Sequence, residues 1–448
     1  MDYVQCLELL AASGRELRKT RFDLATIQTV LAALGRPEQR YPTAIVAGTN
    51  GKGSTCAMLA CILQTAGYRT GLYTSPHLVR VNERIQVNGE LISDQDFAEA
   101  FTEVSEQVNR LCATGSLAHP PSFFEYLTAT AFTHFAKAKA EFVVLEVGMG
   151  GRLDATNVTD PAVAAITNVE LDHQEFLGRT HAEIAREKAG VIKPGRPVIT
   201  ACEHPAALEE IRRRCRVLEA ELLEIDRVAT FRGVEQEGGC YRFDLTVKDS
   251  PALHLRIPLA GRFQIRNAAV AAAAALLLAR QGFHISPAAI EQGIEQARWP
   301  GRLETISPSP LIVLDGAHNP AAARELARFA AARWQGRRLR LVYASMRDKA
   351  IEEISSTLFP LAHEVFLTQC NVGRAATPED ILERSPVTAP SVVIERDPVC
   401  ALELAVQRSG RDDVILVAGS LFLVGAIKAA MSEGRLTLAG QPAPAEVL

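Results

Sequence analysis

Lys52 lies in Gly48-Thr49-Asn50-Gly51-Lys52-Gly53-Ser54, a glycine-rich turn carrying one cation. An apolar, β-branched run, Thr43 to Ala47, leads into the turn, and Cys56 to Leu63 leaves it with helical character. That order is the one used to cradle phosphate. Glycines let backbone N–H groups converge on phosphate oxygens, the helix N-terminus adds partial positive charge, and the lysine adds a full one. A purely structural glycine turn is the plain alternative, and the flanking strand and helix weigh against it. Gly53 follows the lysine where a Ser or Thr usually holds Mg²⁺. A hydroxyl from elsewhere would then have to take that place.

Glu146 ends the apolar run Phe142-Val143-Val144-Leu145. Parallel strands present ligands at their carboxyl ends, so Glu146 and the Lys52 loop should share one edge, the acid approaching Mg²⁺. The competing reading is an acid that caps the next turn. Gly148 to Asp154 is glycine-rich enough to suggest backbone passing close to a ligand. In Thr74-Ser75-Pro76-His77-Leu78, Ser75 is the candidate for the displaced hydroxyl, whereas Pro76 marks a turn and His77 alone reads as structural. Asn168-Val169-Glu170-Leu171-Asp172-His173 ends a third strand. Its imidazole suits a second metal ligand oriented by Asp172, with a structural histidine as the equal alternative. Lys188 closes a helix, where a cation ordinarily complements the dipole. In Asp315-Gly316-Ala317-His318-Asn319-Pro320, the Asn and Pro serve as helix cap and first helical residue. Asp315 and His318 are then left over at a mouth facing the first domain, suited to ribose hydroxyls and to phosphate.

These groups need a frame. Strand-like runs at Ala44 to Gly48, Thr70 to Thr74, Phe142 to Val147, Ala162 to Thr167 and Pro197 to Thr200 alternate with helical patterns at Asp94 to Leu111, Phe123 to Ala136 and His181 to Ala189. Buried β-branched strands between helices predict an α/β fold with a doubly wound, mainly parallel sheet. Val228 to Pro258 shifts to alternating strands with glycine turns, a small antiparallel patch, and a helix from Gln264 to Arg280 follows. Trp299-Pro300-Gly301-Arg302 reads as a linker. The α/β rhythm then resumes with strands at 311–314, 339–344 and 414–417 and a capped helix start at Thr377-Pro378. This second domain is Rossmann-like but lacks Gly-x-Gly-x-x-Gly. The expected division is 1–298 for nucleotide, 299–304 as hinge, 305–435 for the second domain and 436–448 as a frayed tail.

With 448 residues, two or three domains are expected. The net charge of −4 gives no electrostatic footprint for nucleic acid or an anionic membrane. Nine scattered cysteines without a Cys-x-x-Cys pair fit reduced thiols in a cytoplasm. Met1-Asp2-Tyr3-Val4 begins no leader pattern, and the apolar runs 268–279 and 414–427 fall short of a membrane span.

Taken together, the blocks resemble the folylpolyglutamate synthase/dihydrofolate synthase family of the Mur-ligase superfamily, from about Leu17 to Ile427. The likeness rests on the Lys52 loop, Ser75-Pro76-His77-Leu78-Val79-Arg80, Glu146 through Asn157, Leu171-Asp172-His173, Glu187-Lys188-Ala189-Gly190, Pro300-Gly301-Arg302, Asp315 through Pro320 and Gly419-Ser420-Leu421. It implies that Gly48 to Ser54 hold ATP phosphates, that Ser75 and Glu146 share one Mg²⁺, and that Glu146 and His173 share a second. It implies a carbamylated Lys188, a potassium ion, adenine read by Asn267, and phosphate met by Arg302 and His318. Phe124 falls where an aromatic meets the pterin, with an ordinary core ring as the alternative. Arg80 and Ser420 are further substrate contacts, joined by Arg347 and Lys349 on the second domain. Folate or dihydropteroate and L-glutamate are the implied substrates, and a monomer is the implied state. Two departures stand out: Ala350 replaces a second Asp after Arg347-Asp348-Lys349, and Glu170 adds an acid near His173.

The implied chemistry is amide ligation: ATP phosphorylates a carboxylate, and the amine of glutamate attacks the acyl phosphate. Another Mur-type ligase is the near rival. A P-loop switch or transport ATPase is the distant one, which predicts an ordinary Lys-Ser/Thr loop and leaves Asp315 and His318 idle.

Overall fold

A computed structural model describes residues 1–13, 23–237, 239–387 and 390–438. Leu17, where the resemblance begins, and the expected frayed segment Gly440 to Pro444 lie outside the described residues. The chain forms two compact units. One gathers Met1–Pro76, Val81–Pro258 and Gln264–Arg298; the other gathers His77–Arg80, Leu259–Phe263 and the chain from Trp299. Two short segments from within 1–298 thus belong to the second unit.

The first unit is built on strands β1 (Thr43–Ala47), β2 (Thr70–Tyr73), β3 (Ile85–Val87), β4 (Glu90–Leu91), β5 (Phe142–Glu146), β6 (Val163–Ile166), β7 (Val198–Thr200) and β8 (Leu222–Glu224). Their order is β4-β3-β2-β5-β1-β6-β7-β8. Only the β2–β3 and β3–β4 pairings are antiparallel. Every residue of β1, β2, β5 and β6 is buried, as strands covered on both faces must be. Helices Lys52–Thr65, Asp94–Ala113 and Phe123–Lys137 supply that cover. Ser122 and Glu125 form a capping box that fixes where the last of these starts.

The antiparallel patch is a separate sheet of β9 (Ala229–Glu237), β10 (Cys240–Val247) and β11 (Leu253–Ile257), in the order β11-β10-β9. Buried and exposed residues alternate along β10 and β11, the mark of a sheet covered on one face.

The second unit carries β12 (Glu304–Pro308), β13 (Leu311–Leu314), β14 (Leu339–Tyr343), β15 (Glu364–Leu367), β16 (Val392–Ile394) and β17 (Val414–Ala418), in the order β12-β13-β17-β14-β15-β16. All pairings but β12–β13 are parallel. Side-chain alternation divides its core between two faces. Val313, Leu341, Tyr343 and Leu416 pack on one, and Ile312, Val342, Phe366 and Val417 pack on the other. Among the described residues no helix is long and apolar enough to cross a membrane.

Candidate active site

The phosphate loop leaves β1 and enters the helix Lys52–Thr65 through Gly51, whose φ of +83° suits glycine. The loop is pinned by the segment that follows β6. The Thr49 amide donates to Asn168 O at 3.0 Å, the Asn50 amide to Asn168 Oδ1 at 2.8 Å, and Thr167 Oγ1 to Asn50 O at 2.6 Å. Thr49 Oγ1 bonds both the amide (3.0 Å) and the carbonyl (3.2 Å) of Glu170. Sequence reasoning missed this clamp, because its partners are over a hundred residues away along the chain. Lys52 folds back onto Thr49 O at 3.1 Å. A Cβ at Gly48 would strike Thr167, and one at Gly51 would strike Asn267. Asn267, held by Gln264 Oε1 at 2.8 Å, therefore lies against the loop. Gln264 also reaches Ser54 Oγ at 3.3 Å.

β1 and β5 are adjacent and parallel, with Val46 opposite Glu146, so the loop and the carboxylate emerge from one sheet edge. Glu146 is 4% exposed and accepts the Ser75 amide at 3.0 Å. Thr55, in the loop helix, keeps a buried hydroxyl without a protein partner. A hard-oxygen cation such as Mg²⁺ takes one or two carboxylates and otherwise prefers phosphate and water. One buried carboxylate beside a serine, on the edge that carries the phosphate loop, fits that donor set. Among the described residues, three or more His, Cys, Asp or Glu side chains nowhere converge as a metal cage. His173 has φ +51° and receives Asp172 at its backbone: its amide donates to Asp172 Oδ1 at 2.9 Å, while Nε2 is 4.0 Å from Oδ2. Glu170 turns its side chain to His181 Nε2, at 4.0 Å.

Lys188 is 3% exposed and donates to Gly48 O at 2.9 Å, which brings it under the phosphate loop. Burial, then the charge of Lys52, lowers its pKa to about 7 against the pull of Asp172 and Asp154. A lysine held partly neutral is a nucleophile, able to take up CO₂ as a carbamate.

The glycines after Glu146 run close against the protein itself. A Cβ on Gly148 would meet Phe124 Cζ at 2.7 Å, and one on Gly151 would meet the Glu187 and Lys188 carbonyls at 2.8 Å. They let the loop pass against the protein's own helix end. The Arg152 amide donates to Glu187 O at 2.8 Å, and Asn157 Nδ2 donates to Arg152 O and Gly190 O. Asp154 accepts from Met149 N and Thr156 N, each at 3.0 Å, and burial raises its pKa. Phe124 covers Gly148 and tilts against Tyr73 at 6.0 Å.

In the second unit, Asp315 is 5% exposed and accepts the Leu303 amide at 2.9 Å and the Ala317 amide at 2.8 Å; burial raises its pKa. The Arg302 guanidinium covers Gly316, where a Cβ would collide with it. His318 Nδ1 donates to Gly316 O at 2.8 Å, which makes Nδ1 the protonated nitrogen of the neutral ring and leaves Nε2 as its acceptor. Ser420 caps the helix Leu421–Ser432 by accepting the Phe422 amide. Ala350 stands at the start of the helix Ile351–Leu358 with no side-chain cap, so the missing second Asp leaves that helix end uncapped. Arg80 is exposed on the 77–80 segment.

Two family models account for most of the chain: the Mur ligase middle domain over residues 46–275 and the Mur ligase, glutamate ligase domain over 301–421. The protein is thus an ATP-dependent ligase of the Mur class. It is 35% identical to a dihydrofolate synthase/folylpolyglutamate synthase of Bacillus subtilis over 90% of this chain and 94% of that one. The Escherichia coli counterpart is also 35% identical, over 80% of each chain. Among solved structures, E. coli FolC in complex with DHPP and ADP superposes with a TM-score of 0.85 at 31% identity, covering 96% of this chain and 98% of that one. A Mycobacterium tuberculosis folylpolyglutamate synthase complexed with ADP gives 0.88 at 30%, covering 95% and 97%. The chain belongs to the folylpolyglutamate synthase/dihydrofolate synthase family.

Proposed function

We propose that the protein joins L-glutamate to the carboxylate of a reduced folate and also to dihydropteroate, working as a cytoplasmic monomer. The observation that carries this reading is the shared edge of β1 and β5. There a pinned phosphate loop and a buried carboxylate bonded to Ser75 stand side by side. Both acceptors offer a carboxylate attached to a pterin-aminobenzoate, so one ATP site serves both.

Gly48 to Ser54 hold the ATP phosphates, and Asn267 reads the adenine. Lys52, Arg302 and His318 offset charge on the transferred phosphoryl oxygens, and Asp315 holds ribose. Ser75 and Glu146 hold one Mg²⁺, with Glu146 and His173 on a second; the ions supply Lewis-acid charge to the phosphates. Potassium is a further ion on this reading. Lys188 acts as its carbamate, exchanging a buried cation for a carboxylate-like group. Phe124 meets the pterin, while Arg80 and Ser420 contact substrate. The acceptor carboxylate attacks the γ-phosphorus and ADP leaves. The neutral amine of glutamate then attacks the acyl carbon, and phosphate departs as the amide forms.

The test is incubation with dihydropteroate, ATP, Mg²⁺ and L-glutamate, read by mass. Dihydrofolate is expected, as is oxygen-18 from the labelled acceptor carboxyl in released phosphate. Success with tetrahydrofolate alone would reduce the enzyme to chain extension. ADP release independent of glutamate and acceptor would overturn the ligase reading in favour of a switch or transport ATPase.

A further inference from the structure

Arg302 stands between two residues with left-handed backbone, Gly301 at φ +74° and Leu303 at φ +45°. For a bulky leucine that conformation is costly and persists only where its surroundings over-determine it. Leu303 is buried, and its amide donates to Asp315 Oδ2 at 2.9 Å. On the other side of Arg302, Gly301 O accepts the Gly316 amide at 2.9 Å and the Nη1 of Arg302 itself at 3.1 Å. The double reversal thereby turns the guanidinium back over Gly316.

A further tie holds the turn from outside the site. The Gly301 amide donates to Glu304 Oε2 at 2.7 Å, and Lys428 Nζ donates to Glu304 Oε1 at 2.5 Å. Lys428 is the single charged residue of the helix Leu421–Ser432, and its side chain is only 24% exposed. Four residues apart, it shares a helix face with Val424, whose Cγ1 lies 3.2 Å from where a Cβ on Gly301 would stand. An ion pair drawn this far from water stabilises a fold weakly, because desolvation offsets much of the attraction. Its effect here is on position: one carboxylate spans from the helix lysine to the amide that opens the turn.

The geometry points to Glu304 and Lys428 as positioning residues for Arg302: the pair anchors the Gly301–Leu303 reversal and so aims the guanidinium. The inference rests on the phosphate role given to Arg302 above. Neither residue is asked to touch ATP, folate or glutamate. Arg302 offsets charge on a phosphoryl group only if its fork is in place when that charge develops, and a displacement of about 1 Å costs rate steeply. Asp315 and Gly316 also hold the turn, but they belong to the loop that carries His318. Glu304 and Lys428 can be changed while every residue of that loop is kept.

The test is a double-mutant cycle on kcat for glutamate-dependent ADP release, with a reduced folate as acceptor. Lys428→Met and Glu304→Gln are each made in the parent and in Arg302→Ala. Both remove the charge and keep the side-chain stem, and Gln also keeps an oxygen for the Gly301 amide. In the parent each should lower kcat at least tenfold, with KM for glutamate and for the folate within twofold. In the Arg302→Ala background each should lower kcat by less than twofold, because nothing is left to aim. Lys428→Arg, which restores the pair, should stay within about threefold of the parent. Thermal melts by circular dichroism restrict the comparison to folded variants, and either charge-removing variant alone completes the cycle. The assignment is overturned if the folded variants stay within twofold of the parent. It is equally overturned if their losses are the same in both backgrounds, the mark of a pair that merely props the fold. An Arg302→Ala enzyme with the parent rate would instead defeat the phosphate role on which the pair depends, a separate result seen before either pair variant is made.

Discussion

Asn267 Oδ1 occupies the place a side chain on Gly51 would need. The asparagine is held there by Gln264, three residues earlier on the same helix, and Gln264 also reaches Ser54 at the loop's far end. The helix Phe263–Arg280 therefore bears on the phosphate loop at both ends of the lysine turn.

Gly51→Ala should for this reason be costly twice over, through a positive φ and through collision with Asn267. ADP affinity, measured by titration calorimetry, is expected to fall at least tenfold. The double variant with Asn267→Ala should recover only part of the loss, because the backbone strain persists. Unchanged affinity in the single variant would show that the loop yields freely.

Lys52→Ala separates chemistry from folding. The lysine's fold-internal bond is to Thr49 O, so its loss costs about 1 kcal/mol of stability. Ligation should drop by about 10²–10³ or more, the scale of losing one charge-stabilising donor. A variant retaining a tenth of the parent rate would remove Lys52 from the phosphate.

Lys188 makes a prediction with a definite sign in pH. Its folded pKa, about 7, lies below the ordinary lysine value of 10.5. Below pH 7 the amine is protonated whether folded or not, and the folded state bears the full burial penalty. As pH rises from 7 towards 10.5 only the unfolded chain holds the proton, so stability grows by about 1.4 kcal/mol per pH unit. Urea unfolding at pH 7, 8 and 9 should show this slope in the unmodified protein, and Lys188→Met should flatten it. Carbamylation would flatten it too. Bicarbonate labelled with carbon-13 should then give a carbamate resonance that Lys188→Met abolishes.

Ala350 offers a gain. A side-chain cap at that position contributes about 0.5–2 kcal/mol, and the helix Ile351–Leu358 has none. Ala350→Asp should raise the melting temperature with kcat unchanged. A fall would mean that the backbone there, at ψ 69°, does not accept a cap.

How much of this could be read from the chain depends on how local each cause is. The parallel strands are legible because burial on both faces demands runs such as Phe142-Val143-Val144-Leu145. The alternation in β10 reveals a one-sided sheet just as directly. β16 is three residues long, and the hairpin of β3 and β4 is no longer, too short for any periodicity to register. The clamp on the phosphate loop by Thr167, Asn168 and Glu170 leaves no local trace, since it depends on β1 and β6 being neighbours. The glycines of Gly148 to Gly151 announce a close approach truthfully but do not name what approaches. Here it is the protein's own ring and helix end.

Leu78 reaches its place in the second unit from far upstream. Its carbonyl lies where a Cβ on Gly425 would go, and its methyl groups lie against Gly301. A ribosome adding roughly 5–20 residues per second makes this leucine some ten to forty seconds before Trp299 emerges. A fragment begun at Trp299 would never receive it. The stretch from Trp299 onward is thus no cassette to be cut out and expressed by itself: its packing is completed by a stitch laid down far upstream of it.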